Sequence, residues 1–486
     1  VLKREGHSVD LIFLTKEFWE KFEEKTLDDV VNLTEKSDLV GISLMSNFWD
    51  NAIQLTQKIK QHYDIPVLWG GTHPTVRPDE CLEHADMVCI SESEQPLVEL
   101  TRKMTKGENY FDIKGMGFKS NGKIINNGHG PLPGSKDSMF KHLNEIPHQD
   151  YDWNDHYILK GHDIVKMDTE TLNDQNRTYM TMPTRGCPYA CTFCVNSEFL
   201  KMYPHQKPIR MRTVDNIIEE LKIVKNSMPF VKNILFNDDA FFLMPLETIK
   251  DFSKKYKEHI KMPLMITGAT PSTLSKTKLS VLVEAGLIEM RMGIQTLAEK
   301  SKKLYKRPHS NKQIMEAVKI INKYKNEVKI RYDFILESPW DTEDNTIETL
   351  RFIAEIPPPY NLNLFSLVFF PGTDLYTRAK KEGIIKNDIE DIYRKHYGDE
   401  SLKKSYLTSL FYLFHDYGSV GASLPISLMY FLTNKKKWLL PVKKLIVTIL
   451  KIYHKFLRRK FRTKAKILKI KGKIFTLKKY GFETGL

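Results

Sequence analysis

The chain holds 486 residues with a net charge of +14, long enough for two or three domains with large buried cores and too long for a small stapled scaffold. Its five cysteines are too sparse for a disulfide framework, and three of them, Cys187, Cys191 and Cys194, fall within eight positions. The charge is lopsided: residues 435–480 contain eighteen Lys or Arg and no Asp or Glu, so the rest sums to −4, and such a tail calls for a polyanionic surface as partner.

No charged-then-apolar secretory leader opens the chain, which predicts a reducing, cytoplasmic compartment where thiolates stay available as ligands. Cys81 and Cys89 are expected as ordinary buried thiols. Residues 8–105 alternate short apolar runs with helical patterns, predicting an open α/β sheet with helices on both faces. Its strands are expected over residues 9–14, 39–44, 66–69 and 87–90. Ala52, Leu55, Ile59 and Tyr63 recur at three- and four-residue intervals and mark a helix between them. The later strands end in small or polar residues, namely Ser43, then Gly70, Gly71 and Thr72, then Ser91 and Glu92. Ligands of such sheets sit outside these strand ends, where glycine lets backbone approach closely.

Residues 106–178 are rich in Gly, Pro, Asn and Asp and read as a linker with one small hairpin. The βα rhythm then returns for six units, with strands expected over residues 179–184, 233–236, 264–267, 288–294, 329–335 and 363–370. Thr213 ahead of Val214 and the capping box from Ser310 to Gln313 mark helix starts, and Gly286 a helix end. Six such units make a partial barrel whose chemistry belongs at the carboxyl ends of its strands.

Directly after the first of these strands comes the spacing CxxxCxxC of Cys187, Cys191 and Cys194. Three thiolates on one short loop suit three irons of a cubane and leave the fourth open. A zinc site completed by His205, or thiols that bind nothing, are the alternatives. After the second strand stand Asn237, Asp238 and Asp239, and at the end of the fourth Gly293 to Thr296.

Residues 179–385 resemble the radical S-adenosylmethionine (SAM) core, with Phe193 at the aromatic position before the third cysteine. The resemblance implies a 4Fe-4S cluster on Cys187, Cys191 and Cys194, and SAM chelating its open iron. One electron, from a donor such as flavodoxin or ferredoxin, then splits the sulfonium to a 5'-deoxyadenosyl radical. It also implies that Asn237, Asp238 and Asp239 meet the methionine amino group and that Gly293 and Gln295 lie near the ribose, with Gln295 in place of the usual Glu. Glu337 stands where a glycine is usual, and Pro371, Gly372 and Thr373 form a structural turn.

Residues 1–105 resemble the flavodoxin-like cobalamin-binding domain that precedes many such cores. This implies that Ser43, Gly70, Gly71, Thr72, Ser91 and Glu92 cradle a corrinoid. Residues 1–7 look like the end of that family's first helix, so a central strand is expected upstream of Val1. His73 is expected as a turn or surface residue and not as a cobalt ligand. The domains are then 1–110 cobalamin-binding, 111–178 linker, 179–395 radical SAM core and 396–486 a basic helical tail. In that tail the uncharged residues 417–434 are long enough to consider a membrane span, though Pro425, Gly418 and Gly421 weaken it. Beyond it Val442, Leu445, Ile449, Ile452 and Phe456 line one helical face with lysines beside them, which predicts a helix lying on an anionic bilayer. Nucleic acid is disfavoured because aliphatic residues, more than stacking aromatics, interleave the charge. The expected activity is a cobalamin-dependent radical SAM methylation of an unactivated carbon on an apolar or lipid-linked small molecule. The rivals are radical cyclisation or carbon-carbon coupling without methyl transfer, and a non-catalytic corrinoid- or metal-binding module at the membrane.

Overall fold

The computed structural model describes residues 1–15, 20–175, 177–398 and 401–470, without the side chains of 173–175 and 460–470. The last part of the basic segment, residues 471–480, lies outside them. The chain divides into two compact units: Val1–Gln175 with Gly186–Asn216 and Val368–His396, and Asn176–Arg185 with Ile217–Leu367 and Tyr397–Leu486.

The first unit departs from the expected sheet at its start. Strand β1 (Leu11–Phe13) does not join β2 (Val40–Ser43), β3 (Val67–Gly70) and β4 (Met87–Cys89), which pair in parallel. The stretch expected as a linker instead continues this sheet: β5 (Met116–Ser120) and β6 (Lys123–Asn126) add to β4 antiparallel, giving the order β2-β3-β4-β5-β6. The signal was in the sequence, since Asn121 and Gly122 both take positive φ at the turn, 50° and 75°, and Asn-Gly favours a two-residue hairpin. Burial drives the addition: Met116 and Phe118 enter one core with Leu68, Met87, Cys89 and Leu100. A second hairpin, β7 (His156–Lys160) with β8 (Asp163–Lys166), turns at Gly161 and gives β1 its parallel partner.

His73 is also not where the sequence reading put it. It lies in the short helix Thr72–Val76 and is fully buried, ringed by Trp49 at 5.0 Å and Tyr393 at 4.9 Å, with Nδ1 2.9 Å from Ser46 Oγ. Apolar surroundings and the nearby Arg77 charge lower its pKa to about 4.

The second unit carries β9 (Thr178–Thr181), β10 (Asn233–Phe236), β11 (Leu264–Ala269), β12 (Leu287–Gln295), β13 (Lys329–Leu336) and β14 (Asn361–Ser366). All six are parallel and sit in sequential order, as expected for a singly wound partial barrel. The expected strand over 363–370 ends four residues early, at Ser366. Alternation is unbroken along β10 and β14 and interrupted in β11 and β12. Ile234, Phe236, Met292, Tyr332 and Phe334 are buried, while Leu235, Arg291, Arg331 and Asn363 line a cavity on the other face. The crossover helices start and stop as read: Ser310 and Gln313 form a complete capping box, and Gly286 closes the helix Lys276–Ala285 at φ 114°.

Residues 417–434 are no membrane span. They contain the end of the helix Tyr406–Ser419 and the short helix Ile426–Leu432, and among the described residues no helix is long and apolar enough to cross a membrane. The long helix Leu440–Ile470 follows, with Pro441 in its first turn.

His73 gives the first unit a pH signature. An unfolded His gains its proton near 6.5 while this ring stays neutral to about 4. Its stabilising effect is therefore present above 6.5 and lost as pH falls from 6.5 towards 4, by roughly 3 kcal/mol at the acid end. Unfolding followed by tryptophan fluorescence should show this slope in the wild type and a shallower one in His73→Gln; equal slopes would show that His73 is not the group responsible.

Candidate active site

The cysteine loop is built from a turn that only glycine tolerates. Gly186 sits at φ 88°, and a Cβ there would fall 2.3 Å from the carbonyl oxygen of Pro208. Beyond it the loop is tied down by backbone bonds. Cys194 N donates to Cys191 O at 3.0 Å, Leu375 N donates to Thr192 O at 3.0 Å, and Ser197 Oγ donates to Cys194 O at 2.7 Å. The helix Asn196–Met202 then starts. Cys191 is buried, Cys187, Cys194 and Phe193 are half-buried, and none of the cysteines is in a disulfide. Thr373 in the Pro371-Gly372-Thr373 turn is fully buried and caps the helix Asp374–Lys381 through its hydroxyl, a structural part as expected. Cys81 and Cys89 are fully buried in the first unit, where desolvation raises both thiols and keeps them inert.

In the second unit the three residues after β10 separate in role. Asn237 and Asp239 are exposed, and Asn237 borders the barrel cavity. Asp238 does not point to any open site: it is 1% exposed and accepts three hydrogen bonds, from Thr184 N at 2.6 Å, Thr184 Oγ1 at 2.7 Å and Ala240 N at 2.8 Å. The expected contact with a bound amino group would have to share a carboxylate that already accepts these three bonds. Its carboxylate is spent on Thr184, three positions ahead of Cys187. Burial raises the pKa of Asp238, and the donors from Thr184 and Ala240 oppose that rise. Gly268 makes the approach possible, because at its φ of 75° a Cβ would lie 2.1 Å from Asp238 O.

Two further strand ends hold non-glycine residues in the left-handed region. Gln295 takes φ 72° after a register shift in the β12-β13 ladder, and its amide nitrogen lies 2.6 Å from where a Cβ on Gly293 would stand. Gly293 O accepts from Arg307 Nη2 at 2.6 Å. Glu337, at the position where the resemblance leads one to expect glycine, takes φ 61°. The backbone thus keeps a glycine-like conformation, held by the carboxylate, which accepts from Ser366 Oγ at 2.8 Å and Lys403 N at 2.6 Å.

The barrel strands line an open cavity of about 640 Å³. Met180, Leu235 and Met265 form an apolar wall, and Glu289, Arg291, Arg331 and Asn363 a polar one. Asp333 joins the polar wall, accepting from Arg291 Nη2 at 3.1 Å and from Asn363 Nδ2 at 2.7 Å. Arg331 pairs with Glu289. Burial raises the Asp333 pKa, with Arg291 and Asn363 working against it. Sequence reading missed this network; the charged residues alternating with apolar ones along β12 and β13 were the available signal.

In the first unit the ends of β2, β3 and β4 do come together. A Cβ on Gly71, at φ 97°, would lie 2.7 Å from Leu44 O and 3.1 Å from Ser43 Oγ. The Thr75 hydroxyl donates to Gly71 O at 2.7 Å and accepts from Ser91 N at 2.9 Å, so one side chain fastens the loops after β3 and β4. Glu92 is committed elsewhere, to a bidentate ion pair with Arg210, whose Nη1 lies at 2.9 Å.

These donor sets suit the groups the resemblance implies. Three undisulfided thiols on one loop match soft iron ligation. The small residues Ser43, Gly70 and Gly71 beside Met45, which is half exposed, leave backbone accessible to a flat apolar ligand.

Residues 181–353 match the radical SAM superfamily and residues 1–101 the B12 binding domain. An uncharacterized methyltransferase of Pyrococcus horikoshii is 25% identical over 410 residues, covering 80% of this chain and 82% of the relative. The bacteriochlorophyllide d C-8(2)-methyltransferase of Chlorobaculum tepidum is 23% identical, covering 75% and 72%. An anaerobic magnesium-protoporphyrin IX monomethyl ester cyclase of Rubrivivax gelatinosus is 22% identical, covering 77% and 64%. Among solved structures, the cobalamin-dependent SAM radical enzyme OxsB with aqua-cobalamin and SAM bound superposes with a TM-score of 0.62 at 13% identity, covering 97% of this chain and 82% of that one.

The Asp238 bonds are open to test. Asp238→Ala strands the Thr184 and Ala240 donors in a buried place, a loss of about 2–4 kcal/mol, and Asp238→Asn, which keeps one acceptor, should lose less. Melting temperature and iron per chain after anaerobic reconstitution should both fall in that order; an alanine variant that melts and loads iron like the wild type would show the bonds to be dispensable.

Proposed function

This chain is a radical SAM enzyme with an N-terminal B12-binding domain, and from that premise we propose that it methylates an unactivated carbon of an apolar or lipid-linked small molecule. A 4Fe-4S cluster, SAM and cobalamin supply reductive cleavage of a sulfonium bond and carriage of a methyl group. Cys187, Cys191 and Cys194 would hold the cluster. Ser43, Gly70, Gly71, Thr72 and Ser91 would receive the corrinoid, and Gly293, Gln295 and Asn237 would receive SAM. An electron donor of the flavodoxin or ferredoxin class and a reducing, cytoplasmic compartment belong to the same proposal, because the three thiols must stay unoxidised.

The observation that carries the reading is the two-faced cavity. Its size lies in the range that holds a small molecule. The methionine and leucine wall suits an apolar body, and the fixed Arg291–Asp333 and Arg331–Glu289 pairs suit a single polar end. The methyltransferase names among the relatives favour methyl transfer. The cyclase relative favours a second reading, radical cyclisation with no methyl transfer.

Incubating the reduced protein anaerobically with SAM deuterated in its methyl group and an apolar extract separates these. The expected outcome is 5'-deoxyadenosine together with S-adenosylhomocysteine, and deuterated methyl in an extracted product. Both nucleosides should vanish in the variant Cys187→Ala, Cys191→Ala, Cys194→Ala. Formation of 5'-deoxyadenosine with an unlabelled product would replace methylation by the cyclase reading, and absence of 5'-deoxyadenosine would leave a binding module.

A further inference from the structure

The helix Leu440–Ile470 is oriented against the usual rule for amphipathic helices. The residues it packs inward are Lys443, Val447 and His454, and Tyr417 OH donates to Leu450 O at 2.9 Å from the neighbouring helix. Its continuous apolar stripe points the other way. Trp438 just before the helix, then Val442, Leu445, Ile449, Ile452 and Phe456, are between 48% and 73% exposed. At 100° per residue these six fall within one quadrant of the helix surface, along roughly 27 Å. A monomeric soluble surface does not leave such a line uncovered without a partner.

We propose that this stripe is the docking face of the enzyme on an anionic lipid bilayer, independently of which reaction the barrel performs. The occupant follows from charge and shape. Exposed Lys444 and Lys455 lie along one flank of the stripe and exposed Lys436 and Lys437 at its start, and residues 435–480 contain no Asp or Glu. The partner must therefore be apolar along a line and negative beside it. A headgroup layer over acyl chains is both, over any length, and needs no matching groove. Trp438 sits at the end of the stripe, where an indole prefers the bilayer interface. A helix on this surface enters only to the depth of its side chains, consistent with the absence of a spanning helix among the described residues.

The test uses the full chain and sedimentation with vesicles of phosphatidylcholine alone or with one third phosphatidylglycerol. Binding at least tenfold tighter to the anionic vesicles is expected. Raising salt from about 0.1 to 0.5 M should weaken it severalfold. The variant Leu445→Glu, Ile449→Glu, Ile452→Glu should abolish it while leaving the melting temperature and SAM cleavage unchanged, since all three side chains face solvent. A wild type that stays in the supernatant with both vesicles, or a variant that binds as well as the wild type, overturns the proposal. So does a self-association or RNA affinity that the same variant removes while vesicle binding is absent.

Discussion

Three donors converge on one buried carboxylate at Asp238, and the start of the cysteine loop depends on that convergence through the chain. It joins the ends of β9 and β10 and fixes Thr184, from which the chain turns through Gly186 into the cysteine loop. A buried carboxylate is costly unless it is hydrogen-bonded, and here two amides and a hydroxyl donate to it. The dependence extends to Gly268, whose missing side chain leaves room for the Asp238 carbonyl.

Much of the second unit was legible because each βα crossover announces itself locally. Strands with buried faces, a cap such as Ser310 with Gln313, and Gly286 as a stop are short-range signals, and the observed strands fall within a few residues of those expected. What the sequence hid was non-local. Strand β1 reads as part of the first sheet by composition, yet its partner is the β7–β8 hairpin more than a hundred residues on. The polar content of residues 106–178 let one small hairpin be expected and hid the second, and Asn121-Gly122 is the turn signal of the first. In the tail, periodicity located the apolar stripe but could not say which way it faces, since a helix that buries Lys443 and exposes Ile449 carries the same pattern as one that does the reverse.

The site residues divide along the same line. Spacing alone singled out the three cysteines as candidate ligands, and the structure shows them free of disulfides. Asp238 and Glu92 were not legible in this way, because an acid next to a strand end looks the same whether it awaits a ligand or already answers Thr184 or Arg210. Glu337 is the inverse case. It stands where a glycine is usual, yet the backbone keeps the left-handed turn that glycine would give, and the side chain supplies the bonds that hold it there.

The sequential strand order has a consequence for what the barrel can admit. A closed barrel has its girth set by strand number and shear, and no strand can move outward without breaking a ladder. Here the sheet stops at β9 on one margin and at β14 on the other. Among the described residues no ladder joins those two margins, so strand number and shear do not by themselves fix the girth of the interior. The margin at β14 is instead held by a neighbouring helix, where Leu362 N donates to His415 Nδ1 at 3.1 Å.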